Sequence, residues 1–144
     1  MAGNWIGTDS VGSAGFGNQL DGVRVASGAQ YNLIGPENTI KSSGENGIRI
    51  AGAATQYNRI MQNSLFENSA SGILLEDGAN NGILSPVLSG GDTLSGIAIP
   101  FALVEIFSDS ASEGEFYEAA VTADQTGYFS WPGSPRGPFI TATA

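Results

Sequence analysis

The sequence contains no cysteine and no histidine, and only one lysine among its 144 residues. Without cysteine there is no disulfide framework and no thiolate metal site, and without histidine the commonest general base and metal ligand is missing. Five basic residues stand against 14 acidic ones, which gives a net charge of −9. Because nucleic-acid binders normally carry a basic surface, we expect no nucleic-acid partner, and we also expect no metal and no cofactor.

Long hydrophobic runs are absent as well. No stretch is long and apolar enough to predict a membrane-spanning helix, and the first residues show no signal-peptide pattern. The length leaves room for one medium domain or two small ones.

A short strand pattern led by glycine recurs at a fixed interval. Its three copies are Gly22-Val23-Arg24-Val25, Gly47-Ile48-Arg49-Ile50 and Gly72-Ile73-Leu74-Leu75, and their first residues lie 25 apart (47 − 22 and 72 − 47). Short strands at one fixed period indicate stacked repeats. The apolar runs are too short, and too often interrupted by glycine and asparagine, to predict helices.

Each period contains two further short runs, most of which begin with asparagine. The second runs are residues 32–34, 58–60 and 81–83, and the third runs are residues 38–40, 63–65 and 86–88. Asparagine at repeated positions predicts an internal ladder in which stacked side-chain amides bond to one another. We assign this structural role, rather than ligand binding, to Asn32, Asn58, Asn81, Asn38 and Asn63. Asparagine also tolerates the left-handed conformation that a sharp corner requires.

Three strands and three turns per period predict an all-β fold that begins with a short parallel β-helix. We expect about three coils over residues 1–90, with a loop insertion at residues 7–17. Asn4-Trp5-Ile6 matches the third run of a coil, so the chain is expected to start partway round a coil and to derive from a longer protein. Trp5 and Phe16 are expected to cover the open end, since solenoid ends need capping.

The repeat resembles that of a known superfamily. The succession Asn-x-Ile, Gly-Ile-x-Ile and Gly-Ala-x-x-Asn is similar to the right-handed parallel β-helix repeats of pectate-lyase-like proteins. The loop Ile6-Gly7-Thr8-Asp9 through Gly12 resembles one found in bacterial surface and secreted members. The resemblance covers about residues 3–90 and implies a right-handed fold and a secreted or cell-surface location, but no particular activity.

From residue 91 to 144 the sequence follows a different plan. Residues 89–92 indicate a linker or sharp turn, and alternating runs at residues 103–107, 116–122, 128–131 and 139–143 predict antiparallel strands. These runs resemble the immunoglobulin-like, transthyretin-like modules that follow β-helices in bacterial surface proteins. The resemblance implies a small antiparallel β-sandwich with an edge that a partner completes, or a cap on the β-helix. The acidic turn with Asp109, Glu113 and Glu115 is predicted to be a solvated loop rather than a calcium site.

The outward positions of the repeats hold the candidate contact residues. They are Arg24, Arg49, Tyr31, Leu33, Tyr57 and Arg59. The two arginines of the first strand row are expected to lie one above the other, with acidic side chains between them from Asp21, Glu45 and Glu76. We expect the exposed tyrosines to contact a neighbouring subunit, or alternatively to stack on a sugar ring.

No catalytic residue is predicted. No catalytic motif of the lyase relatives matches, and the adjacent Glu76 and Asp77 would point to opposite faces of a strand, unlike the carboxylate pair of a hydrolase. We therefore predict a non-catalytic structural or interaction module that forms homo-oligomers, because unpaired strands at the ends of a solenoid invite pairing. The alternatives are a carbohydrate-binding module with a polysaccharide partner, and the remnant of a polysaccharide lyase or hydrolase.

Overall fold

A computed structural model describes residues 1–13, 15–90 and 93–144, and within these ranges the fold is all-β with parallel and antiparallel sheets. The chain forms two compact units, Met1–Ile83 and Leu84–Ala144. We refer to them as the first unit and the second unit. The predicted turn at residues 89–92 falls partly on Gly91 and Asp92, which lie outside the described residues.

The first unit is built from short parallel strands. In chain order these are β1 (Trp5–Ile6), β2 (Val23–Val25), β3 (Leu33–Ile34), β4 (Thr39–Lys41), β5 (Ile48–Ala51), β6 (Arg59–Ile60), β7 (Ser64–Phe66) and β8 (Ile73–Glu76), followed by the 3₁₀ turn η1 (Ala79–Gly82). They form three parallel sheets with the orders β1-β4-β7, β2-β5-β8 and β3-β6.

The strand register follows the repeat, with partners 25 residues apart in the β2-β5-β8 sheet and between β4 and β7, and 26 apart between β3 and β6. In the β2-β5-β8 sheet Val23 pairs with Ile48 and Ile48 with Ile73, and in the other two sheets Ile34 pairs with Ile60 and Ile40 with Leu65. The predicted parallel pairing of these strands is therefore confirmed. The paired apolar side chains point to one interior, since residues two apart share a face of a strand. The most buried members, none more than 2% exposed, are Ile34, Ile40, Ile48 and Ile50.

The third repeat departs from the prediction after β8. Residues 81–83 were expected to continue the second strand row, but Ala79–Gly82 forms the 3₁₀ turn, with φ of 47° at Asn80 and 57° at Asn81. Two consecutive left-handed residues curl the chain and prevent an extended strand. Residues 86–88 were expected to continue the third row, but β9 (Val87–Ser89) pairs antiparallel with β10 (Leu94–Ile97) instead. The predicted strands of the third repeat are wrong at both places.

At several corners of the repeats, a residue with left-handed backbone conformation is followed by a buried asparagine, a pattern that was not predicted from the sequence. Outside the 3₁₀ turn at Asn80 and Asn81, the left-handed residue is not the asparagine but the residue before it, as at Glu37 (φ 64°), Gln62 (φ 48°) and Glu67 (φ 57°). Each of these is followed directly by a buried asparagine, namely Asn38, Asn63 and Asn68. We attribute this pattern to geometry. The amide of the asparagine must point inward, so the residue before it takes the left-handed conformation that makes the sharp turn.

The insertion at residues 7–17 begins and ends beside two consecutive residues of the next repeat, Lys41 and Ser42. Its two ends are Gly7 and Gly17, and a Cβ atom at either would overlap the backbone oxygen of Lys41 or Ser42. Glycine is therefore required at both ends of the loop. Phe16 is 62% exposed, so it does not provide the cover that was expected of it, and Ala14 lies outside the described residues.

The second unit consists of two three-stranded antiparallel sheets. Its strands are β9, β10, β11 (Leu103–Asp109), β12 (Phe116–Thr122), β13 (Tyr128–Trp131) and β14 (Phe139–Thr143), in the orders β13-β10-β9 and β12-β11-β14. The four antiparallel strands predicted beyond residue 102 are confirmed. Val104, Ala123 and Phe129 form the centre of the core.

Ser43 provides the first test of the packing. It occupies a ladder position, its backbone N–H donates to Asn68 Oδ1 at 3.1 Å, and it is 1% exposed. Its hydroxyl oxygen makes no hydrogen bond to any described residue. Because a buried polar group without a partner is costly, we expect Ser43→Ala to raise the free energy of unfolding by about 1 kcal/mol, measured by urea denaturation.

The matched control for Ser43 is Ser64→Ala, on a half-buried strand position of the same unit. That change is expected to lie within about 0.5 kcal/mol of the wild type, as for most surface substitutions. A clear loss of stability in Ser43→Ala would mean that the hydroxyl has a partner, and would contradict the argument.

Candidate functional site

Arg49 is the centre of an ion-pair cluster on the outer surface of the β2-β5-β8 sheet. Its Nε donates to Glu76 Oε1 at 2.8 Å and its Nη2 donates to the same oxygen at 2.5 Å. Its Nη1 lies 3.7 Å from Asp21 Oδ2 and 3.5 Å from Glu45 Oε2. The predicted acidic neighbours are therefore all present, and all three contact this one arginine.

Arg24 is stacked beside Arg49 but shares none of these contacts. The two residues are register partners on β2 and β5, and Arg24 is exposed. No ion pair of Arg24 is found among the described residues. Leu74, the third member of the row, carries no charge, so the cluster has a single cation at its centre.

The electrostatics of the cluster bear on its chemistry. The hydrogen bond from Arg49 to Glu76 raises the pKa of the guanidinium above its usual value, and the nearby charges of Asp21 and Glu45 act in the same direction. An arginine serves as a general base only after it loses a proton, which a raised pKa opposes. The arrangement therefore favours a permanent cation that holds three carboxylates.

Four of the five predicted asparagine residues are brought together in two ladders. Asn38 Nδ2 donates to Asn63 Oδ1 at 2.8 Å, and Asn32 Nδ2 donates to Asn58 Oδ1 at 2.8 Å. Asn4, which was aligned with the third run but not assigned to the ladder, extends the first one by donating to Asn38 Oδ1 at 2.8 Å.

Asn81 is not the next member of the second ladder. That place is taken by Asn80, whose Oδ1 accepts the backbone N–H of Asn58 at 3.0 Å and whose Nδ2 donates to Asn58 O at 2.6 Å. The backbone N–H of Asn81 donates instead to Gln56 Oε1 at 2.5 Å. The assignment fails by one residue because the left-handed turn shortens the third repeat.

Tyr31 and Tyr57 form an exposed aromatic pair. Their ring centroids lie 5.0 Å apart with an interplanar angle of 8°, and their side chains are 75% and 58% exposed. Both residues have φ of 58°, which is unusual for a bulky residue. Since the rings face one another along the stacking direction, each has one face covered by the other and presents its edge and one remaining face.

Leu33 and Arg59 lie next to the tyrosine pair. They are register partners on β3 and β6, and Leu33 is 45% exposed. The Arg59 side chain makes no ion pair within the described ranges. An aromatic pair, an apolar side chain and an unpaired cation thus share one outer surface of the first unit.

Asp109 is a buried carboxylate that the sequence analysis misplaced. It was expected in a solvated acidic loop, but it is 1% exposed. Its oxygens accept the backbone N–H groups of the loop that follows, including those of Ala111 at 2.9 Å and Gly114 at 2.6 Å, together with those of Ser112 and Glu113. Burial acts to raise the pKa of Asp109, but these hydrogen bonds outweigh it and lower the pKa below its usual value. The carboxylate therefore serves as the anchor of its own loop.

No group of three or more acidic, histidine or cysteine side chains is placed to hold a metal ion in the described parts of the chain. No helix within the same ranges has the length and apolar character needed to cross a membrane.

Comparison with protein-family models, with curated proteins and with solved structures finds no significant match to the chain.

Proposed function

We propose that this chain is a non-catalytic structural or interaction module of a secreted or cell-surface bacterial protein, and that it self-associates. In this proposal the first unit is a short right-handed parallel β-helix. The second unit is a small β-sandwich of the immunoglobulin-like or transthyretin-like kind.

The order in which the chain visits its sheets supports the β-helix. From β2 to β8 it passes through the β2-β5-β8 sheet, the β3-β6 sheet and the β1-β4-β7 sheet in turn, then repeats the cycle. From β2 onward the chain returns to the same sheet after 25 or 26 residues, always in parallel register, so it winds rather than folds back. The right-handed sense follows the general preference of parallel crossovers and the resemblance of the repeat.

The observation that carries the non-catalytic role is the way the polar groups of the repeats are used. The buried asparagines bond between repeats, as Asn38 does to Asn63, and Arg49 is held by three carboxylates with its pKa raised. Catalysis needs a group free to exchange a proton or attack a substrate, placed beside a partner of matched pKa. Here these groups are committed to holding successive repeats together.

Carbohydrate binding is the second candidate, because of the Tyr31–Tyr57 pair. Exposed aromatic side chains stack on sugar rings, and the neighbouring Arg59 supplies an unpaired cation for an acidic sugar. The parallel stacking of the two rings weighs against it, because it covers one face of each ring. The remnant of a polysaccharide lyase or hydrolase is the third, and the protonated state of Arg49 weighs against that one.

A glycan array and a cleavage assay on uronate polymers separate these functions. We expect the wild-type chain to give no specific glycan signal and no cleavage. A signal that disappears in Tyr57→Ala, but persists in a control that removes an exposed aromatic ring of the second unit, Phe101→Ala, would overturn the proposal in favour of carbohydrate binding. Cleavage that is lost in Arg49→Ala and kept in Arg24→Ala would overturn it in favour of an enzyme.

A further inference from the structure

One sheet of the second unit has an outer face formed by uncovered apolar side chains. Val87, Ile97 and Tyr128 are register partners across β9, β10 and β13, so they lie side by side on the same face. They are 68%, 52% and 47% exposed. Two residues further along the strands, a second row on this face consists of Ser89, Ser95 and Ser130. We call these six residues the open face.

The opposite side of the same sheet is the core side. Its row is formed by Leu88, Gly96 and Phe129, and Phe129 is 2% exposed. Gly96 is needed there because a Cβ atom would lie 2.6 Å from the Phe129 ring. The alternation therefore fixes which side faces outward, and places the three large apolar side chains on that side.

The other sheet of the unit is covered differently. Its central strand β11 is buried on both sides, with Val104 and Ile106 at 0% on one side and Glu105 and Phe107 at 5% and 6% on the other. The ring of Tyr117 packs edge-on against Phe107, with centroids 5.6 Å apart. The chain thus covers one sheet with its own residues and leaves three adjacent apolar side chains of the other in water, which marks an interaction surface.

The charge distribution says what kind of partner fits. Residues 84–144 carry one arginine and seven acidic residues, a net charge of −6 (1 − 7), yet β9, β10 and β13 contain no charged residue at all. A basic protein or an anionic polymer would find no charge to pair with on this surface. A second copy of the same acidic chain would meet no charge on these strands to repel it.

We propose that the open face is the contact between two copies of this chain, which names the surface for the self-association in the proposed function and rests on it. The face is self-complementary about β10. A two-fold axis parallel to β10 and above it places Ile97 on the partner's Ile97 and Val87 on the partner's Tyr128. It also places the two serine rows opposite one another. Such a pairing is isologous and allows the aligned packing of two sheets.

The absence of cysteine makes a direct test possible. Ile97→Cys introduces the single thiol of the chain at the proposed axis, where two copies would bring their thiols together. We expect a short bifunctional maleimide to convert most of the purified chain to a covalent dimer. Leu20→Cys, on the first unit at a side chain that is 57% exposed, is the control and is expected to cross-link at least tenfold less. Equal cross-linking of the two variants would overturn the proposal.

Light scattering across a dilution series supplies the second measurement. The wild type is expected to be a dimer, and Ile97→Glu, which sets two charges against each other at the axis, is expected to be a folded monomer by circular dichroism. A dimer that survives Ile97→Glu would overturn the open face but leave the proposed self-association intact. A wild-type chain that is monomeric throughout would overturn both.

Discussion

Replacing Asn38 with alanine is expected to cost the first unit about 3 kcal/mol or more of its free energy of unfolding. The side chain is 0% exposed and lies at the centre of a ladder. Its Oδ1 accepts from the backbone N–H and the Nδ2 of Asn4 at 3.0 and 2.8 Å, and its Nδ2 donates to Asn63 Oδ1 at 2.8 Å. Truncation leaves a buried acceptor on Asn63 without this donor and creates a cavity, and the two costs add.

The control for this change is Asn32→Ala in the neighbouring ladder. Asn32 makes the same kind of bond, to Asn58 Oδ1 at 2.8 Å, but it is exposed, so water can replace the lost amide. We expect a loss of about 1 kcal/mol or less. Equal losses at the two positions would contradict the argument that burial makes the ladder strong.

The two tryptophans allow the two units to be followed separately. Trp5 belongs to the first unit and Trp131 to the second, so urea denaturation in a Trp131→Phe background reports on the first unit alone. The urea midpoint of Asn38→Ala is expected to fall below that of the background chain. The slope of the transition is expected to stay the same, because the surface exposed on unfolding changes little.

The parallel strands could be predicted because their information is local and repeated. A glycine followed by alternating branched residues recurs every 25 positions, and a one-residue slip would turn every apolar side chain outward. Val23, Ile48 and Ile73 are therefore register partners as the period requires. The exposed pairing of Tyr31 with Tyr57 follows from the same spacing, because stacked repeats place equivalent side chains next to one another.

The corners could not be predicted in the same way. Asparagine is the ordinary non-glycine choice for a left-handed residue, yet tyrosine and glutamate take that conformation here, as at Tyr57 and Glu37. Their preference is overridden by the bonds of the buried asparagine that follows each of them. In the third repeat, Asn81-Gly82-Ile83 has the same pattern as a strand run, but the chain turns at Asn80. The difference depends on the tertiary environment, which a local pattern does not contain.

Contacts between residues far apart in the sequence also could not be predicted from local patterns. The alternation in Val87–Ser89 fits a parallel and an antiparallel neighbour equally well, and only the pairing with β10 assigns it to the second unit. Asp109 likewise lies in an acidic, glycine-containing turn that suggests exposure. Its burial depends on the loop folding back so that four N–H groups point at one carboxylate.

Acid is expected to weaken the second unit through Asp109. Because its pKa is lower in the folded chain than in the unfolded one, the ionised carboxylate contributes stability that is fully present above its unfolded pKa of about 3.9. That stability is lost as the pH falls through the lower, folded pKa. Asp9, Glu118 and Asp124 also have lowered pKa values, so acid unfolding of the wild type is not due to Asp109 alone.

The substitution Asp109→Asn measures the contribution of this carboxylate to the stability of the second unit. The amide that replaces one oxygen would point a donor at backbone N–H groups that need an acceptor, including those of Ala111 and Gly114. We expect a loss of about 3 kcal/mol at pH 7, because hydrogen bonds to a charged group are among the stronger ones and their donors would stay buried. The variant should also lose the part of the decline in stability that begins in the wild type as the pH falls below the unfolded pKa of about 3.9.

The control is Asp124→Asn, which changes an exposed carboxylate that accepts the Thr126 N–H at 2.7 Å and the Tyr128 N–H at 3.0 Å. Water can satisfy those donors, so its loss at pH 7 should be clearly smaller. The measurement is urea denaturation of the second unit at several pH values, followed by Trp131 fluorescence in a Trp5→Phe background. If Asp109→Asn were as stable as the wild type at pH 7, the carboxylate would not be what holds the loop. If it were less stable but kept the full acid dependence, the hydrogen bonds would matter and the charge would not.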